Sequence, residues 1–210
     1  MARMGAEVRR QDFIEATVKV IAQYGVANAT TRRIAAEAKS PLASLHYTFH
    51  TKDELFYAVY ESLISTPQQA VAHVTPGATA EKTVAELLRQ VANWFITHPD
   101  LAIAQSELFA WTLRNNPAMA TRIYSYAGLA TEQAIERVIG SRLDKAALTK
   151  VSRLLINLLD GLLISWSAHR NIERLNAETD TACHALELLV TSIESTPETA
   201  PSSAKSSTDA

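Results

Sequence analysis

Residues 13–55 read FIEATVKVIAQYGVANATTRRIAAEAKSPLASLHYTFHTKDEL, and this stretch decides the fold. Phe13, Thr17, Ile21 and Tyr24 recur at helical spacing, with Ile14, Val18 and Ala22 beside them, so a first helix is expected from about Glu7 to Tyr24. Gly25 ends it, as a residue free to take a left-handed conformation. Thr30 is placed to cap a second, short helix from Thr31 to Ala38, with Ile34, Ala35 and Ala38 inward. Lys39-Ser40-Pro41 breaks that helix, and Pro41 is expected to open a third, from Leu42 to about Phe49. Leu45 and Phe49, four apart, would pin the third helix to the first two.

The same reading extends outward. Thr51-Lys52-Asp53-Glu54 has the spacing of a capping box and starts a fourth helix with Leu55, Val59 and Leu63 inward. Thr66 to Ala78 reads as a looser connector, with continuation of the fourth helix into it as the alternative. Helix five is expected from Thr79 to Thr97. The pairs His98-Pro99 and Asn116-Pro117 start helices six and seven, which reach Asn115 and about Ser141. Asp144 should cap helix eight, ending near Ile172, and Asn176 should cap helix nine, ending near Ser195. No strand pattern and no internal repeat is visible, and the Ser/Thr/Ala/Pro-rich end has no apolar period and reads as disordered. The expected fold is all-α with about nine helices. A three-helix helix-turn-helix unit occupies residues 1–56, a helical body 57–195 and a tail 196–210.

Composition narrows the class. Hydrophobic residues are 47% and charged residues 20% of 210, as in ordinary globular chains. The single cysteine, Cys183, excludes an intrachain disulfide framework and suits a reducing compartment. The N-terminal MARMGAEVRR lacks an apolar leader core, and no run approaches the ~20 apolar residues of a membrane span, so a cytoplasmic protein without a membrane partner is expected. Net charge is −2, unevenly spread: residues 1–56 carry +2 and the remainder −4. A basic end on an acidic body fits phosphate contact at that end.

In a helix-turn-helix unit the second helix of the pair enters the major groove with its early residues at base edges. Here that helix has Leu45 and Phe49 committed to packing, which leaves Leu42, Ala43, Ser44, His46, Tyr47 and Thr48 outward. The run Gly25, Ala29-Thr30-Thr31, Ile34-Ala35, Leu45-His46-Tyr47-Thr48-Phe49 and Thr51-Lys52-Asp53-Glu54-Leu55 resembles the TetR family of one-component transcriptional regulators. The resemblance covers about the first sixty residues. It implies phosphate contacts at Thr31, Arg32, His46, Tyr47 and Lys52, and base reading at Leu42, Ala43 and Ser44. Two positions depart from the family pattern: Lys39 stands where a turn glycine is common, and His46 where tyrosine is usual.

Helix eight, apolar nearly all round from Leu154 to Trp166, must be buried on more than one side. One side is expected to be core and the other a second copy of the chain, with Leu155, Leu159 and Leu162 of helix eight and Leu186, Leu189 and Ile193 of helix nine at the homodimer interface. Large aromatics with scattered polar groups in helices five to eight suggest a small-molecule pocket, drawn from Trp94, Glu107, Trp111, Arg122, Tyr124, Asn157, Asp160 and Trp166. Asn157 and Asp160 require partners if buried, either in that pocket or across the dimer.

No HExxH, CxxC pair or phosphate-binding glycine loop is present, so neither an enzyme, a metal site nor a cofactor is expected. The expected function is a homodimeric regulator, by default a repressor, that binds a palindromic double-stranded operator and is released by a small-molecule effector. The alternative is a helical ligand-binding or interaction protein that does not bind DNA. That alternative leaves the exposed polar helix at 42–48 without a purpose.

Overall fold

The first helix, α1 (Ala2–Tyr24), starts earlier than its apolar period predicts. A computed structural model describes the backbone of residues 2–70 and 79–195, and side chains within 5–65 and 79–195. The tail at 196–210 and most of the connector lie outside the described residues, and residues 66–70 belong to α4. Phe13, Val20 and Ile21 are buried along one stripe of α1. Thr17 shares that stripe because its hydroxyl donates to the Phe13 carbonyl at 2.7 Å, which satisfies it without water.

Gly25 follows with φ 76° and ψ 159°. The positive φ is as expected, but ψ puts the residue in the extended mirror region that glycine alone tolerates, so the chain turns away instead of closing a left-handed cap. A short 3-10 turn (Val26–Asn28) leads into α2 (Thr31–Glu37), whose N-cap Thr30 accepts from the Arg33 amide. Lys39 takes the left-handed turn at φ 50°, at about 1 kcal/mol relative to glycine. Its amide donates to Ala36 and that of Ser40 to Ala35, both at 3.0 Å, which closes a Schellman turn. Pro41 is the extended N-cap residue of α3 (Leu42–Thr48), one position earlier than expected.

Next come α4 (Lys52–Ala70), α5 (Ala80–Thr97), α6 (Pro99–Asn115), α7 (Pro117–Ile139), α8 (Lys145–His169) and α9 (Ile172–Glu194). Thr51 caps α4 through the Glu54 amide, while the Glu54 carboxylate accepts from His50 instead of from Thr51. Asn116 and Asp144 cap α7 and α8 as expected. Asn176 does not cap α9: the α8–α9 turn is only Arg170 and Asn171, and Asn171 accepts from the Arg174 amide. Arg170, left-handed at φ 50°, makes so tight a reversal possible.

Two cores hold the described helices. One joins α1–α4 to Ala104 and Leu108 of α6 and to Met119 and Ile123 of α7. The other is built by α5, α8 and α9 with the end of α7. The expected boundary at residue 56 falls inside α4, and the first core crosses it.

Candidate functional site

The outward face of α3 is set by what anchors its inner face. Leu45 and Phe49 are each 1% exposed, and the Arg10 guanidinium lies 4.7 Å from the Phe49 ring centre. Ala43, His46 and Tyr47 therefore point to solvent, and Tyr47 is 85% exposed. An aromatic ring left this open is available to a partner. Leu42 and Ser44 are half-buried, with Leu42 packed on the core beneath. Of the positions expected to read bases, Ala43 is the most open.

At the start of α2, Thr31 is half-buried and Arg32 exposed. Arg33 is occupied: it donates to the Asn28 carbonyl at 2.9 Å and covers the Tyr24 ring at 4.5 Å. Lys52, on the first turn of α4, is half-buried with its ammonium 4.7 Å from the Phe56 ring centre. Burial lowers its pKa, partly opposed by neighbouring Asp53.

A dense seam links this unit to the body. The Glu107 carboxylate on α6 accepts from the Val26 amide at 3.2 Å. The Asn116 amide donates to Asp53 at 2.8 Å. Trp111 meets Phe56 edge-on at 5.3 Å, and the Arg122 guanidinium lies 3.6 Å from the Tyr57 ring centre. Glu107, Trp111 and Arg122, expected in the ligand pocket, belong to this seam. Their partners lie on α1–α4, which helical periodicity within α6 and α7 cannot reveal.

Behind the seam, α4, α5, α6, α7 and α8 enclose a cavity of about 70 Å³ bordered by Tyr60, Phe95, Gln105, Tyr124, Leu159 and Asp160 among others. The Tyr124 hydroxyl lies 2.7 Å from Asp160 Oδ2 and 3.3 Å from Asn157 Oδ1. One proton cannot serve both, and the shorter contact to the carboxylate takes it. Burial raises the Asp160 pKa, with the Tyr124 bond opposing. Burial, then the bond and charge of Asp160, push Tyr124 up to about 12. Burial also pushes Tyr60 up, with Asp160 adding to it.

Asn157 lies on the other side of Tyr124, in an open groove of about 950 Å³ between α7 and α8. Tyr124 and Ile156 border both spaces. Trp94 and Trp166, also expected at the pocket, are core residues 4% and 7% exposed, and Trp94 stacks on His98. Tyr60 lies on α4, the helix that ends the reading unit, outside helices five to eight, where the pocket residues were expected.

The expected interface leucines are largely used within the subunit. Leu155, Leu162 and Leu186 are buried in its own core, Leu189 and Ile193 pack half-buried against that core, and Leu159 borders the cavity. The large apolar side chains left most exposed along these helices are Ile164 on α8 and Leu188 on α9, 65% and 58% exposed, followed by Ile172 at the start of α9, with Gly161 also open.

The family model described as bacterial regulatory proteins, tetR family, matches residues 13–59. The chain is 28% identical over 169 residues to the nicotine-responsive transcriptional repressor HdnoR of Paenarthrobacter nicotinovorans, covering 79% of this chain and 87% of that protein. It is 28% identical over 96 residues to the transcriptional repressor NicS of Pseudomonas putida, 45% of each. Among solved structures, the multidrug binding protein EbrR with ethidium superposes at a TM-score of 0.66 and 25% identity, covering 86% of this chain and 97% of that one. A TetR transcriptional regulator from Rhodococcus sp. RHA1 superposes at 0.69 with 18% identity, over 90% and 98%. Among the described residues, no helix is long and apolar enough to cross a membrane.

Proposed function

The chain belongs to the bacterial tetR family of regulatory proteins, and on that premise we propose that it is a cytoplasmic homodimeric repressor that binds a palindromic operator and releases it on binding a small organic molecule. One observation carries the DNA-binding reading: α3 is anchored by Leu45 and Phe49 while Ala43, His46 and Tyr47 stand outward. Ala43, with the edges of Leu42 and Ser44, meets bases. Thr31, Arg32, His46, Tyr47 and Lys52 hold phosphates on either side. The two repressor relatives support the direction of control, and the nicotine-responsive one supports a small organic effector.

Twofold symmetry is built by the outer faces of α8 and α9, with Ile164 and Leu188 as apolar anchors and Gly161 allowing close approach. It sets two copies of α3 about 34–36 Å apart, one turn of duplex. Residues 1–56 act as the reading unit and 57–195 as the sensing and dimerising body. Coupling runs through α4 and α6. Tyr60 of α4 borders the cavity while Lys52 starts the same helix. Gln105 of α6 borders it two residues before Glu107, which holds the Val26 amide. An effector favouring a different placement of these helices lowers operator affinity by its differential affinity for the two arrangements.

The test is to select duplexes from a random-sequence library with the full chain and measure binding against salt. A palindromic consensus whose affinity falls steeply with salt supports the reading. No enriched sequence and no salt-sensitive binding sinks it.

A further inference from the structure

Asp160 is the one charged residue among those bordering the central cavity, which is otherwise built from aromatic, aliphatic and uncharged polar side chains. Among the described residues it has no lysine, arginine or histidine as ion-pair partner. Its hydrogen bond is to the Tyr124 hydroxyl, and burial disfavours its ionised form. A half-buried carboxylate without a counter-charge is a liability in a helical body. Tyr60 and Tyr124 border the same cavity, and Phe109 backs them, stacked on Tyr124 with centres 5.5 Å apart and 6.3 Å from Tyr60.

We infer that this cavity takes an organic cation, an amine carrying aromatic or aliphatic bulk, with Asp160 as its counter-ion and Tyr124 as the movable wall. The inference rests on the reading of the chain as a ligand-responsive regulator and names the ligand class of that site. An ammonium or iminium group gains a full charge pair with Asp160 and the faces of Tyr60 and Tyr124 for its remaining surface. An anion beside Asp160 would be repelled by its charge, and a neutral molecule would leave the carboxylate uncompensated.

Size then requires a moving part. About 70 Å³ is far below the several hundred that an organic effector fills. Tyr124 separates the cavity from the α7–α8 groove of about 950 Å³, and its ring is held by the Asp160 bond and the Phe109 stack. A cation that takes Asp160 competes with the hydroxyl for the same oxygen. Tyr124 then turns outward toward Asn157, and cavity and groove become one space. The stack on Phe109 passes this movement to α6, two residues beyond Glu107.

The test uses three probes of one shape class: benzyltrimethylammonium as a permanent cation, benzyl alcohol as neutral and benzoate as anion. Each is titrated by calorimetry into the full chain at pH 8, with retention of the selected duplex measured in parallel. The cation is expected to bind in preference to both others. Asp160→Asn, isosteric and neutral, should weaken it by about tenfold or more, and Glu173→Gln, exposed on the first turn of α9 and bordering neither space, should leave it unchanged. Benzoate or benzyl alcohol binding as tightly overturns the inference, as does unchanged cation affinity in Asp160→Asn with a native melting curve. Should Asp160→Asn fail to fold, the preference of the unaltered chain among the three probes decides alone. Duplex binding without cation binding overturns this inference and spares the regulator reading. Cation binding without duplex binding does the reverse.

Discussion

Lys52→Met separates the two roles of one side chain. In the folded protein Lys52 is half-buried and its ammonium sits 4.7 Å from the Phe56 ring centre, with the Trp111 ring at the 6.0 Å limit of useful attraction. The ring attraction favours the charge by about 0.5–1 kcal/mol at a half-exposed site. Burial opposes it, and the folded pKa lies below the ordinary 10.5. The sign follows: the charged form is penalised on folding, a penalty present at neutral pH and fading as pH rises from the lowered pKa toward 10.5. Attraction and penalty offset, and methionine keeps an unbranched apolar stem, so the melting temperature should move by no more than about 3 °C.

On DNA the outcome differs. Each phosphate contact removed lowers the slope of log affinity against log salt by about 0.9. A dimer loses two, so about 1.8. Across the fourfold range from about 50 to 200 mM salt, the ratio of wild-type to variant affinity should shift about twelvefold. Fluorescence anisotropy of a labelled selected duplex measures this. An unchanged slope, or a changed sequence preference, refutes the phosphate role.

Three further outcomes are expected. Glu107→Ala leaves the amide of buried Val26 without its carboxylate, so melting should fall by about 2–6 °C, with weaker duplex binding; an unmoved melting curve would mean that this contact does not tie body to reading unit. Ile164→Asp, at a 65% exposed position, should convert dimer to monomer in sedimentation while each subunit still folds; a persisting dimer places the interface elsewhere. Asp160→Asn should raise thermal stability at neutral pH, since the raised pKa means stability is complete below the ordinary 3.8 and is lost as pH climbs through the folded value. The advantage of asparagine should therefore vanish near pH 3 in a melting series, and an advantage that persists there disproves the assigned cause.

Helices, caps and the outward face of α3 were legible along the chain because each depends on residues within about one turn of another. Thr30, Thr51, Asn116 and Asp144 cap through amides three residues on. Leu45 and Phe49 share a face by the helical repeat alone, and their burial made Tyr47 exposed. Even here a competing local signal misled: Asn176 sits in a helix that Asn171 had already started, because a left-handed Arg170 allowed a shorter turn than composition suggested.

Which side chains meet across the molecule was decided only by packing. Tyr124 and Asp160 are 36 residues apart, and Val26 and Glu107 are 81 apart; their meeting depends on how whole helices cross. Eight apolar or polar candidates for a pocket were visible in sequence, but crossing angles sent Glu107, Trp111 and Arg122 to the seam, Trp94 and Trp166 to the core, and Asp160 with Tyr124 to the cavity. Periodicity tells a helix which face is apolar. Only the arrangement of its neighbours decides whether that face meets its own core, a ligand or another subunit.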